Sequence, residues 1–209
     1  MRYARFRADG AEFNGTVEGD EVVAHGLRKP LADVALLAPC RPSKIVCVGR
    51  NYADHASEMG NELPKEPLLF FKPPSAVTDP GTAIVYPRQS ARVDFEGELG
   101  VVVGRSCRNV SRESALEYVL GYTIVNDVTA RDLQKSDGQW ARAKGFDTFA
   151  PIGPWIVSDL DWRSARLTTR LNQAVKQDAS TSSMLFDVPT LIEYISAAFT
   201  LEPGDVIAT

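Results

Sequence analysis

Three cysteines in 209 residues, Cys40, Cys47 and Cys107, are odd in number and contain no C-x-x-C pair. Neither a disulfide framework nor a zinc site follows from them, and a reducing, cytoplasmic setting is expected. Long apolar runs are also missing. Arg2, Arg5 and Arg7 interrupt the N-terminus before an apolar region forms, and no later run approaches the ~18 residues of a membrane span, so neither a secretory leader nor a membrane partner is expected. Positive charge is not in excess either: 23 Lys+Arg stand against 27 Asp+Glu, a net charge of −4. That sign disfavours a surface that displaces counterions from phosphates, and nucleic acid is not expected as a partner. Histidine is scarce, with only His25 and His55.

The chain does have the composition of a folded protein, 44% hydrophobic and 24% charged, without repeats or low-complexity tracts. Residues 2–7, 12–17 and 21–24 read as short strands split by Ala8-Asp9-Gly10 and Glu18-Gly19-Asp20, a small β-meander. Pro30, Pro39 and Pro42 punctuate residues 27–43, the expected linker, so a small N-terminal unit over 1–43 precedes a main body over 44–209. In that body, residues 45–48, 68–71, 84–86, 93–103, 122–126, 155–157 and 167–171 carry strand signals. A brief helical segment is expected at 53–59, and a helix over 113–120 behind Ser111. Two more are expected behind the capping boxes Thr129-x-x-Asp132 and Thr190-x-x-Glu193, the latter with Pro189 ahead of it. The fold class is α+β and mostly β.

The most informative segment is Val93-Asp94-Phe95-Glu96-Gly97-Glu98-Leu99-Gly100-Val101-Val102-Val103. Strand alternation turns Val93, Phe95, Leu99, Val101 and Val103 to one face and Asp94, Glu96 and Glu98 to the other. Three carboxylates on one face repel unless water or a cation screens them. A solvated outer face is one reading. The apolar run that follows suggests instead a strand entering a core, and Gly97 permits close approach to the backbone. Asp127 ends a second strand just before Thr129. Carboxylates without nearby His or Cys are hard oxygen ligands suited to Mg²⁺ or Mn²⁺ with positions left for water or substrate.

His55 and Glu58 are three residues apart, so one helical turn would bring them within hydrogen-bonding reach. A carboxylate holding one imidazole nitrogen leaves the other free as a base near neutral pH. An exposed helix pair contributing about 0.3 kcal/mol is the alternative. His25, at the end of the meander, reads as surface. Lys144 follows a polar loop and, taken alone, reads as a surface lysine.

Five ordered motifs resemble the fumarylacetoacetate hydrolase family. They are Val48-Gly49-Arg50-Asn51-Tyr52-Ala53-Asp54-His55, Phe71-Lys72-Pro73, Phe95-Glu96-Gly97-Glu98-Leu99-Gly100, Asn126-Asp127-Val128-Thr129-Ala130-Arg131-Asp132 and Leu201-Glu202-Pro203-Gly204-Asp205. The resemblance runs from about Lys44 to Thr209, and the meander before it is similar to the small N-terminal domain of many bacterial members. It implies a mixed β-roll catalytic domain, a divalent metal (usually Mg²⁺, or Mn²⁺) on Glu96, Glu98 and Asp127, and a homodimer. It also implies a mobile lid carrying the His55–Glu58 dyad as general base on water. Arg131, Gln134 and Lys144 match positions that in relatives face the 2-oxo acid end of the substrate or the developing enolate.

The reaction expected from this resemblance is hydrolysis of a C–C bond in a 2,4-dioxo acid of acylpyruvate type through a metal-stabilised enolate. Decarboxylation of oxaloacetate-like acids and isomerisation of 2-hydroxyhepta-2,4-diene-1,7-dioate share the same strategy. A non-catalytic metal-binding relative is a further alternative. The chain stops at Asp205-Val206-Ile207-Ala208-Thr209, where relatives continue into Thr-Gly-Thr-Pro and further strands. A missing C-terminal part, an end replaced by a partner chain, or an incomplete site is therefore expected, with an exposed sheet edge as the physical risk.

Overall fold

The computed structural model describes residues 1–52 and 64–209. The N-terminal strands are β1 (Arg2–Ala8), β2 (Ala11–Glu18), β3 (Glu21–Ala24), β4 (Leu27–Pro30) and β5 (Ala35–Leu37). Then come β6 (Ile45–Gly49), β7 (Leu68–Lys72), β8 (Val77–Thr78), β9 (Val93–Asp94), β10 (Gly97–Val103), β11 (Val119–Asn126) and β12 (Thr129–Ala130). Helices α1 (Arg131–Ser136) and α2 (Ala141–Gly145) precede β13 (Ala150–Val157), β14 (Arg166–Leu171) and β15 (Ala174–Ser180). Helix α3 (Val188–Ala198) and β16 (Val206–Ala208) complete the order.

One large sheet runs β4-β3-β2-β1-β13-β11-β10-β16-β6-β7, with β5 on β1 and β8 on β13. Its pairs are antiparallel except β16 with β6 and β8 with β13. The middle strands are buried on both faces, so they read as continuous apolar runs. Leu99, Val101 and Val103 of β10 join Val46, Val48 and Ile207 beneath Leu191, Ile192 and Ile195 of α3. The alternate residues Val102, Ile45, Cys47 and Val125 pack into a second cluster with Ile152 and Ile156. This second face decides where the site lies. Glu98 shares the parity of Val102, and Asp127 that of Val125. Both carboxylates therefore emerge at the end of a buried apolar layer rather than from an outer face.

Residues 27–43 are more ordered than the proline punctuation suggests. β4 pairs with β3, and β5 pairs with β1 at Arg5–Arg7. Arg5 donates to the Ala38 carbonyl at 2.8 Å, which holds the following segment against the sheet. His25 and Gly26, at φ +43° and +81°, form the two-residue turn of the β3–β4 hairpin, and His25 is exposed as expected.

Three other expectations fail at the level of single elements. Residues 84–86 form no strand. Ile84, Val85 and Tyr86 are exposed, and the Val85 N–H is satisfied by the Thr148 hydroxyl instead of a ladder partner. Of the expected helix over 113–120, only a 3₁₀ turn at Ala115–Tyr118 forms, because the β-rich run from Val119 joins β11. Neither capping box forms as written. Ala130 precedes α1 without a side-chain cap, and Asp132 instead accepts from Ser90 and Ala91. Asp187 caps α3 by accepting from Thr190 N at 3.0 Å. Strand β15 and helix α2 carry no strong sequence signal. The expected helical segment at 53–59 lies outside the described residues. The last strand, β16, is no edge, since β10 and β6 flank it. Among the described residues no helix is long and apolar enough to cross a membrane.

Because α3 covers one apolar layer, its cap is a direct handle on stability. Asp187→Ala is expected to lower the unfolding free energy by about 1 kcal/mol, read from urea denaturation.

Candidate metal centre

Between β9 and β10 the chain changes partner. Val93 and Asp94 pair with β12, and Gly97 onward pairs with β11. Phe95 and Glu96 cross between the two ladders. The crossing is fixed by Glu96 N–H, which donates to Asn126 Oδ1 at 3.0 Å, and by Asp127 N–H, which donates to the Glu96 carbonyl at 2.8 Å. These two bonds bring the acidic strand and the end of β11 together. Glu96, Glu98 and Asp127 each offer a carboxylate oxygen, and the three oxygens lie within 4.8 Å of one another. Asp94 does not join them: it is ion-paired with Arg131 Nε at 2.9 Å and Arg92 Nη2 at 3.1 Å. The break in the strand rotates it away.

Cations surround this cluster unevenly. Helix α2 delivers Lys144, 3% exposed, whose Nζ lies 2.7 Å from Glu96 Oε2 and also pairs with Asp127 Oδ2. It sits 4.8 Å above the Phe70 ring. Arg131 pairs with Glu96 Oε1 and donates to Gln134 Oε1 at 2.9 Å. Lys72, fully buried, was visible in the sequence only as part of Phe71-Lys72-Pro73. Its Nζ donates to the carbonyls of Val128 (2.9 Å), Lys144 (2.5 Å) and Phe149 (2.9 Å), which engages all three protons. Asp127 Oδ1, 2.7 Å from the same nitrogen, receives its charge but no hydrogen bond. Thr129, read as a helix cap, has its hydroxyl 3.2 Å from Glu96 Oε2 and 3.0 Å from the Asp127 carbonyl.

The charge pattern sets the protonation of the carboxylates. Burial opposes ionisation of Glu96, but Lys144 and Arg131 overrule it and bring its pKa down to about 2. Glu98 has no ion-pair partner among the described residues: burial, then Asp127 and Glu96, outweigh the more distant Lys144 and Lys72 and push its pKa well above the ordinary range. Burial also lowers Lys144, yet Asp127, Glu96 and Glu98 together leave its pKa above the ordinary value, so it carries a proton at neutral pH. Among the described residues Glu98 Oε2 is buried without a hydrogen-bond partner, and Asp127 Oδ1 is met only by the Lys72 ammonium. These two oxygens beside the Glu96 carboxylate, with no soft ligand among the three residues, form a donor set that fits a hard divalent cation.

The structure thus gathers Glu96, Glu98, Asp127, Lys144, Arg131 and Gln134 into one region. His55 and Glu58 lie outside the described residues. Residues 44–209 match the family model of the fumarylacetoacetate hydrolase C-terminal domain. The chain belongs to the fumarylacetoacetate hydrolase family. Among its similar solved structures is the 5-carboxymethyl-2-hydroxymuconate delta-isomerase of Mycobacterium smegmatis, at 47% identity and TM-score 0.94, covering 100% of this chain and 86% of that one. Oxaloacetate tautomerase YisK of Bacillus subtilis is 43% identical over 216 residues, 92% of this chain and 72% of that protein. The maleylpyruvate hydrolase of Sphingobium, solved with manganese(II) and pyruvate, is 30% identical with TM-score 0.83, covering 100% of this chain and 88% of that one. These fumarylacetoacetate hydrolase family relatives are enzymes, and the mixed, sheet-dominated α+β fold of this chain is theirs.

Glu98 also makes stability depend on pH. Its folded pKa is raised, so between the ordinary carboxylate range and that raised value the folded state binds more protons than the unfolded one. Stability is lost as pH rises through this window. Glu96 has the opposite sign, its contribution being lost only as pH falls towards about 2. Glu98→Gln is expected to stabilise the metal-free protein by ~1 kcal/mol at neutral pH and to flatten the fall above the ordinary carboxylate range, measured by urea denaturation across pH with chelator present.

Proposed function

We propose that this chain is a divalent-metal-dependent enzyme acting on small 2-oxo acids, and that it hydrolyses a C–C bond in a 2,4-dioxo acid of acylpyruvate type. One observation carries this reading. Three carboxylates from two stretches of chain converge beside a buried lysine, and Glu98 Oε2 among them has no hydrogen-bond partner among the described residues. Glu96, Glu98 and Asp127 would hold Mg²⁺ or Mn²⁺, which supplies concentrated positive charge with open positions for the oxygens of a 2-oxo acid.

The chain's own groups account for the rest. Cleavage next to a ketone leaves negative charge on the departing pyruvate enolate. Lys144, protonated and shielded from water, is a fixed donor for that charge. Arg131 is held in place by Asp94 and Gln134, and its guanidinium suits the planar carboxylate end of the substrate. The spacing of His55 and Glu58 supports a dyad in which Glu58 orients the imidazole and His55 takes a proton from the attacking water.

Isomerisation or tautomerisation of a 2-oxo acid is the second reading. It is supported by the delta-isomerase and the oxaloacetate tautomerase, which are closer in sequence to this chain than the maleylpyruvate hydrolase is. Both readings use the same carboxylates and Lys144, and they differ in whether water attacks.

With Mg²⁺ or Mn²⁺ the protein is expected to release acetate and pyruvate from acetylpyruvate. His55→Ala should abolish this turnover, and Lys144→Ala should lower kcat by about 10²-fold or more. NMR of acetylpyruvate and of oxaloacetate separates the two readings. Full acetate release by His55→Ala sinks the role of His55 as base, whereas no acetate release by the parent, together with accelerated keto–enol exchange of oxaloacetate, sinks hydrolysis and supports the isomerase.

A further inference from the structure

Hairpin β14–β15 stands apart from the large sheet as its own two-stranded unit, yet it reaches the acidic strand through Thr169 and Gln177. The Gly97 N–H belongs to the peptide that joins Glu96 to Glu98's neighbour, and it donates to Gln177 Oε1 at 2.8 Å. A backbone N–H can only donate, so the oxygen end of the Gln177 amide must face it.

The fit around this bond is close. A Cβ on Gly97 would lie 2.3 Å from Thr169 Oγ1, on β14 directly opposite Gln177, and 3.3 Å from Gln177 Oε1. The hairpin therefore rests on the bare backbone between the two glutamates. Glu96 N–H is already held by Asn126, so Asn126 and Gln177 fix two successive peptides of the Glu96-Gly97-Glu98 turn. A neutral amide suits this position. It accepts the N–H without adding a fourth negative charge to a cluster of three.

We propose that Gln177 is a positioning residue that holds the Glu96 and Glu98 carboxylates in the arrangement that binds a divalent cation, with Thr169 seating the hairpin that carries it. This rests on the metal centre proposed above. Groups behind the ligands commonly change metal affinity by 10–100-fold when removed.

Calorimetric titration of the full chain with Mn²⁺ tests it, alongside melting temperatures measured in chelator. Gln177→Met, similar in shape but without an acceptor, is expected to bind about tenfold more weakly than the parent. Gln177→Glu, which retains an acceptor oxygen, should bind within about threefold of the parent or more tightly. The metal-free melting temperature should fall in Gln177→Glu, where the added charge joins three carboxylates, while its Mn²⁺ affinity is retained. Unchanged affinity in Gln177→Met, with Glu98→Gln abolishing binding, overturns the role of Gln177 and leaves the metal centre standing. Absence of Mn²⁺ binding in the parent overturns both. Should Gln177→Met not fold, Gly97→Ala decides: it should weaken binding, and adding Thr169→Ala should restore it. Failure of that restoration overturns the inference.

Discussion

Like charges crowded at the end of a buried layer are the constraint around which this protein is built. Carboxylates about 5 Å apart repel by roughly 3 kcal/mol per pair at an effective dielectric constant near 20, and the fold answers with three cations from three different elements. Their placement is unequal. Glu96 has Lys144 and Arg131, Asp127 has Lys144 and Lys72, and Glu98 has none among the described residues. Matching the formal charges therefore does not satisfy the cluster. The residue left out is the one whose burial is most costly in its charged form, and that asymmetry favours an ion able to contact all three carboxylates.

The surrounding architecture follows from the same requirement. Lys72 ties Val128, Lys144 and Phe149 together through their carbonyls, so the end of β7, the segment after β11, helix α2 and the start of β13 share one ammonium group. Helix α2 has only five residues and no side-chain cap. It is held where it is by this buried lysine and by the Phe70–Trp140 contact rather than by its own helical stability. Lys144 thus reaches Glu96 and Asp127 because another lysine fixes the backbone beneath it.

The sequence made the ligands legible but not their environment. Alternation in Glu96-Gly97-Glu98-Leu99 and the run of valines after it indicate a strand that turns from an acidic end into a core, and β10 does so. The same alternation counted Asp94 with the glutamates, and only the change of ladder at Phe95–Glu96 separates them. Lys144 reads as surface because burial of a lysine depends on partners far away in the chain. Lys72 and Gln177 could not be picked out for the same reason: the distances in sequence to Asp127 and Gly97 are 55 and 80 residues. Thr129 shows the converse error. A local pattern resembled a cap, but its hydroxyl faces two oxygens of the site.

The described site specifies a class of molecule more narrowly than it specifies a reaction. A hard-ligand centre beside fixed cations recognises an anion that can present two oxygens, and a protonated lysine stabilises whatever charge develops on it. Those features serve hydrolysis, isomerisation and tautomerisation alike, since each passes charge onto an oxygen next to the reacting carbon. Hydrolysis alone adds the demand for a base that can take a proton from water near neutral pH. In the hydrolytic reading proposed above, that demand is assigned to His55, since His25 occupies an exposed turn of the N-terminal meander. On that proposal the carboxylate centre and the choice of reaction are separable, the first carried by strands of the roll and the second assigned to a single imidazole.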